Sequence, residues 1–170
     1  MRPASVILAA VLVFFAAPAS ANSPPLPVQA RLPAAEQTAI FRAAGFVQRR
    51  GQWRGCDDPG SVGYTPGAIE QYRDVNGDGL PEAVVTEGST ACYGIAETGY
   101  VVVSKQRGGA WRRINGGQGI ATFLPGRTPS GWPDIEVGGP GFCFPVERWN
   151  GREYALHRYQ YEGRRCSPRR

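Results

Sequence analysis

Glycine and proline set the limits on this fold. The chain carries 23 glycines and 15 prolines, and from residue 48 onward they cut it into short apolar runs. Neither residue is stable in a helix interior, and apolar runs of this length between turn residues read as β-strands. Strands are expected over residues 52–54, 68–73, 83–87, 100–105 and 110–114, the strongest built on Val101, Val102 and Val103. Arg107-Gly-Gly109 predicts a hairpin between the last two. Residues 89–98 read as a loop around Cys92, and the glycine-rich stretch 115–119 as a connection. A single helix is expected over 34–44. There Ala39, Ile40, Ala43 and Ala44 recur at helical spacing, Pro33 suits the first turn, Glu36 lies near the positive end and Gly45 is a natural stop.

The chain also echoes itself. Gly79-Leu-Pro-Glu-Ala-Val-Val85 aligns with Gly131-Trp-Pro-Asp-Ile-Glu-Val137. A cysteine followed by an aromatic comes after each (Cys92-Tyr93 and Cys143-Phe144), and each half then reaches an aromatic hairpin, at Trp111 and at 149–154. Two repeats are too few for a closed propeller. The expected fold is mainly β, with two related β-hairpin units, propeller-blade-like or a small sheet pair, and one N-terminal helix.

Residues 1–21 have the pattern of a cleavable leader: Arg2, an apolar run over 6–17, and Ala19-Ser-Ala21 at the cut. Residues 22–32 are Pro-rich and read as a flexible linker to a single domain over 33–170. Export leaves Cys56, Cys92, Cys143 and Cys166 in an oxidising compartment, where an even count favours two disulfides. Three pairings are open. Cys56–Cys92 with Cys143–Cys166 is preferred because each bridge stays within one half. A periplasmic or secreted location follows. The formal charge is +5, much of it in Arg164, Arg165, Arg169 and Arg170, a solvated tail rather than a nucleic-acid surface.

The densest cluster of hard oxygen donors is Asp74-Val-Asn-Gly-Asp-Gly-Leu-Pro-Glu82. Calcium takes six to eight oxygens at flexible geometry. Asp74, Asn76 and Asp78 would offer side-chain oxygens, Leu80 its carbonyl, and Glu82 would close the shell. An EF-hand would need an acid at its twelfth position, which here is Val85, and helices on both sides. Tyr72-Arg-Asp-Val-Asn-Gly-Asp-Gly-Leu-Pro-Glu-Ala-Val-Val85 instead resembles the strand-flanked calcium loop of FG-GAP repeats, as in integrin-type propellers, which closes with an acid at the ninth position. The resemblance covers the loop and its two strands, and implies bound Ca2+ in a structural role.

Other constellations are weaker. Asp134 and Glu136 share a strand face and, with His157, would suggest a hydrolase only if a deep pocket gathered them. Ser89, Thr90 and His157 have no nucleophile-elbow context. Trp132, Trp149, Phe142 and Phe144 are candidate contact residues for a cell-surface protein or glycan, though core packing is the plainer reading of the tryptophans. The expected function is an exported calcium-binding protein acting by structure or binding, without evident catalysis. The alternative is an inhibitor of a lysozyme or protease that plugs a cleft with the loop 138–145. Exposure of both Phe142 and Phe144 would favour that alternative, and burial of both would oppose it.

Overall fold

The computed structural model describes residues 27–168. The leader over 1–21, the start of the Pro-rich segment and the last two arginines lie outside the described residues. Helix α1 (Ala34–Ala43) leads into a hairpin of β1 (Val47–Arg49) and β2 (Gln52–Arg54). Strands β3 (Thr65–Arg73) and β4 (Glu82–Gly88) follow, then a single helical turn, α2 (Thr90–Tyr93), and strands β5 (Thr98–Lys105) and β6 (Trp111–Gln118). The second half holds β7 (Ile120–Phe123), β8 (Ile135–Gly138), β9 (Phe144–Trp149), β10 (Tyr154–Tyr161) and β11 (Arg164–Arg165).

Strands β3-β4-β5-β6 form one antiparallel meander and β7-β8-β9-β10-β11 another. The echo is thus structural: β4 answers β8, β5 answers β9, and Cys92 and Cys143 both stand in the connection that follows. The disulfides are Cys56–Cys92 and Cys143–Cys166, one to each half. Such bridges mark an oxidising, extracytoplasmic environment. Among the described residues no helix is long and apolar enough to cross a membrane.

The molecule is layered. Strand alternation sends Ala83, Val85, Val101 and Val103 to one face of the first sheet, where Ile40, Phe41, Phe46 and Ile69 meet them. Val84, Tyr100, Val102 and Ile114 point the other way, onto Ala121, Ile135, Val137 and Tyr154 of the second sheet. The first sheet is therefore covered on both faces. That is why β4 and β5 read as unbroken apolar runs rather than as alternating ones. Phe41 is fully buried, stacked on Trp53 at 4.7 Å and tilted against Phe46 at 5.8 Å. Burial of such a ring contributes roughly 1.5–3 kcal/mol.

Three expectations need correction. The stretch 115–119 is not a loop: β6 runs through its glycines to Gln118, because the Tyr100 ring lies across Gly117, its cross-strand partner. An aromatic ring in place of a missing side chain keeps the sheet closed there. Residues 89–98 contain α2 and a 3-10 turn at Gly94–Ala96 rather than open loop, because Ser89 caps α2 by accepting the Cys92 amide. The end of the Pro-rich segment is docked, not loose. Val28 and Leu32 pack on the helix-side core, and the Gln29 side chain accepts the Ile69 amide at 3.0 Å.

Asp58 anchors the loop between β2 and β3. It accepts hydrogen bonds from the hydroxyls of Ser61 and Ser89 and from the Gly60 and Ser61 amides. The Ser61 and Ser89 hydroxyls, with those amides, hold its carboxyl well below the usual range against the effect of burial. A folded pKa below the unfolded one stabilises fully above about pH 5, and the contribution is lost as pH falls through the folded value. Asp58→Asn is expected to flatten the acid limb of a stability–pH profile measured by urea unfolding. Equal acid slopes in variant and wild type would refute the assignment.

Candidate functional site

Residues 74–82 join two antiparallel strands, β3 and β4, and no helix touches either end. The turn is built from its own side chains. Asp74 Oδ1 accepts the Gly77 amide at 2.6 Å and Oδ2 the Gly79 amide at 2.9 Å. Asn76 Oδ1 accepts the Asp78 amide and Asp78 Oδ1 the Leu80 amide, each at 2.8 Å. Asn76 Nδ2 donates to Asp78 Oδ2 at 3.2 Å. Gly77 and Gly79 both adopt φ of 84°, where a side chain would strain the backbone. Asp74 and Asp78 are exposed, Asn76 and Leu80 half-buried.

Glu82 behaves differently. It is buried at the first position of β4, where Oε2 accepts the Val75 amide at 3.0 Å and Oε1 the Ser104 hydroxyl at 2.9 Å. Burial pushes its carboxyl up, the charges of Asp78 and Asp74 add to this, and the hydrogen bonds from Val75 and Ser104 only partly offset it. For Asp74, burial also pushes up, but the Gly77 and Gly79 amides and the Arg127 guanidinium outweigh it and the shift is downward. Arg127 comes from the other half and lies over Gly77, where a Cβ would collide with it. A Cβ on Gly131 would stand 3.3 Å from the Asn76 carbonyl. The loop and the ligand-free counterpart of the echo are thus neighbours.

Among the described residues no group of three or more His, Cys, Asp or Glu side chains is gathered so as to hold a metal. In kind, however, the residues of the loop fit a hard cation. Every donor is oxygen. A carboxylate oxygen or a side-chain carbonyl that accepts one amide hydrogen bond keeps a second lone pair. Asp74, Asn76 and Asp78 each retain such capacity.

Asp134, the echo of Glu82, is also buried but is matched with arginines. Arg148 Nε and Nη2 donate to its two oxygens at 2.8 and 2.9 Å, and Arg158 Nη1 donates to Oδ2 at 2.7 Å. The Arg148 bonds hold the carboxyl below its usual range against burial, with Arg158 assisting. Glu136 accepts from Gln160 Nε2 at 2.7 Å. His157 is exposed. Asp134 lines a cleft that neither Glu136 nor His157 reaches, so the convergence that a hydrolase would need is not formed. Ser89 is buried, with its hydroxyl committed to Asp58 and to the Cys92 amide. Arg127, Arg148 and Arg158 carried no signal in the sequence. Only the alternate placement of Arg158 and Gln160 on one strand hints at a shared face.

The aromatic candidates separate. Trp132 and Trp149 stack on each other at 4.6 Å and meet Tyr154 at 6.0 and 5.6 Å, so their faces are taken up at the margin of the inter-sheet core. Phe142 is 77% exposed, with its edge against Tyr161 at 5.1 Å, whereas Phe144 is half-buried against the same ring. The criterion for an inhibitor loop is split between the two rings.

No family model, curated protein or solved structure matches the chain.

Proposed function

We propose that this chain is a periplasmic or secreted calcium-binding protein whose role is structural or one of binding to a cell-surface protein or glycan. The supporting observation is the loop 74–82. It gathers Asp74, Asn76 and Asp78 between two antiparallel strands, with their remaining lone pairs unspent. The strand flanks agree with the FG-GAP type of loop and not with an EF-hand. Asp74, Asn76, Asp78, Glu82 and the Leu80 carbonyl would hold the ion. A bound Ca2+ would offset the mutual repulsion of three carboxylates and brace the ends of β3 and β4.

Calorimetry on chelator-treated protein tests this reading. One Ca2+ per chain is expected, with Kd in the extracellular-module range of about 0.1–1 mM. Millimolar calcium then raises the unfolding free energy by roughly 0.4–1.4 kcal/mol. Asp78→Asn keeps an acceptor for the Leu80 amide but removes a charge, and is expected to weaken binding about tenfold or more. No binding in the wild type, or unchanged binding in the variant, ends the proposal.

A further inference from the structure

The two halves of the echo meet at their loops. Gly131 aligns with Gly79, and both adopt φ of 84°. The alignment sets Thr128-Pro-Ser130 against Asn76-Gly-Asp78, and Arg127 against Val75. Val75 is buried, whereas Arg127 lies over the sister loop. Residues 123–127 share a recess with Arg73, Asp74 and Val75. Glycine at 77 is what admits the guanidinium, since a Cβ there would collide with Arg127 Nη1. Gly77 sits between Asn76 and Asp78 and donates its amide to Asp74, so the charge stands beside three of the oxygen donors. Among the described residues, Asp74, Asp78 and Glu82 enter no ion pair within 4 Å. Arg127 therefore acts on them through space. Against burial, the Gly77 and Gly79 amides and the Arg127 charge hold the Asp74 carboxyl below its usual range.

We propose that Arg127 is a resident cation for the loop 74–82 and that calcium binds against it. This inference rests on the calcium reading above and adds what sets the affinity of that site. Asp74, Asp78 and Glu82 crowd three carboxylates into one turn. A guanidinium tethered from the other half offsets part of their repulsion while no ion is bound, and the turn keeps its shape. The same charge repels an incoming divalent ion. At several ångströms, in the high dielectric of an exposed loop, this repulsion lowers calcium affinity about fivefold. Coupling of binding free energies is reciprocal, so bound calcium loosens the hold of Arg127 by the same factor. Occupancy of a loop in the first half is thereby felt in the connection 124–134 of the second.

The test compares wild type, Arg127→Gln, Arg127→Lys and Arg42→Gln as whole proteins, first by calorimetric titration of calcium. Arg127→Gln is expected to tighten Kd about fivefold. Arg127→Lys keeps the charge and is expected to stay near the wild type. Arg42→Gln, an exposed change on α1 that alters net charge equally, is expected to leave Kd unchanged. The second arm is urea unfolding in chelator. At about 10 mM salt Arg127→Gln is expected to unfold at lower urea than the wild type, and about 0.5 M salt is expected to remove most of that difference. Normal calcium binding by the wild type with an unchanged Kd in Arg127→Gln overturns the competition and leaves the calcium reading intact. Equal tightening by Arg42→Gln also overturns it, as an effect of net charge. Equal midpoints in chelator at low salt overturn the resident cation. No calcium heat in wild type or Arg127→Gln ends the calcium reading, and the competition with it.

Discussion

Glu87→Leu is expected to destabilise the protein by about 3–5 kcal/mol, because it orphans three donors at once. Glu87 is 1% exposed on β4. Its Oε1 accepts the Gly55 amide at 3.0 Å and the Tyr64 hydroxyl at 2.8 Å, and its Oε2 the Tyr93 hydroxyl at 2.7 Å. Burial, then the hydrogen bond and charge of Glu87, push the Tyr64 hydroxyl up to about 12 and raise Tyr93 as well. Leucine fills the space but accepts nothing, and the donors it abandons, on the exposed Gly55 and the half-buried Tyr64 and Tyr93, lose their bonds to the buried carboxylate. Glu87→Gln keeps one acceptor oxygen and is expected to cost less than half as much. Urea unfolding measures both as shifts in midpoint at constant slope. A Glu87→Leu cost within about 1 kcal/mol of zero would show that the donors find other partners. Should that variant not fold, the glutamine variant carries the comparison.

Removal of the Cys56–Cys92 bridge by paired alanine substitutions is expected to cost about 4 kcal/mol. The bridge spans 36 residues of sequence, and closing that loop removes entropy from the unfolded chain. Cys143–Cys166 spans 23, and its loss is expected to cost about 3.5 kcal/mol, since the dependence on length is logarithmic. The first bridge does more than shorten the chain. Cys56 follows Gly55 and Cys92 precedes Tyr93, so the bridge and the Glu87 carboxylate tie the same two segments together. Their losses should not add. The combined variant is expected to fall short of the sum of the two by more than about 0.5 kcal/mol. Strict additivity would show that the bridge and the carboxylate act separately.

Much of this was readable from residues alone, for reasons that can be named. Ile40 and Phe41 lie on the buried side of the only stretch with helical spacing, and α1 is where they put it. Val101 to Val103 form an unbroken apolar run because two layers cover β5. The echo between 79–85 and 131–137 placed β4 and β8, and with them the cysteine of each half. What escaped was decided by contacts remote in sequence. Strand β1 is exposed along its whole length and shows no alternation. It exists because Arg50 and Gly51, both with positive φ, turn it onto β2. The glycines of β6 read as a loop because the Tyr100 ring that covers them lies on another strand. At the candidate site, the sequence showed the oxygens of 74–82 but not Arg127 above them. It showed Asp134 as an echo of Glu82, but not that two arginines, 14 and 24 residues away, hold it.

The covering of the first sheet on both faces has a consequence for how its strands find one another. Where one face is wet, sliding a strand by one residue exposes its apolar side chains, and the penalty fixes the register. Between β4 and β5 that penalty is weak, because valines point into a core whichever way they face. Selection of one register then falls to the buried polar groups at the two ends of β4. Glu82 meets Ser104 directly across the ladder. Glu87, five residues on, meets the tyrosines and amide of the neighbouring loops. A slip of one residue would turn both carboxylates into the opposite core with no donor to receive them. The two acids act as indexing pins, and what they supply is a single alignment out of several that the valines alone would accept.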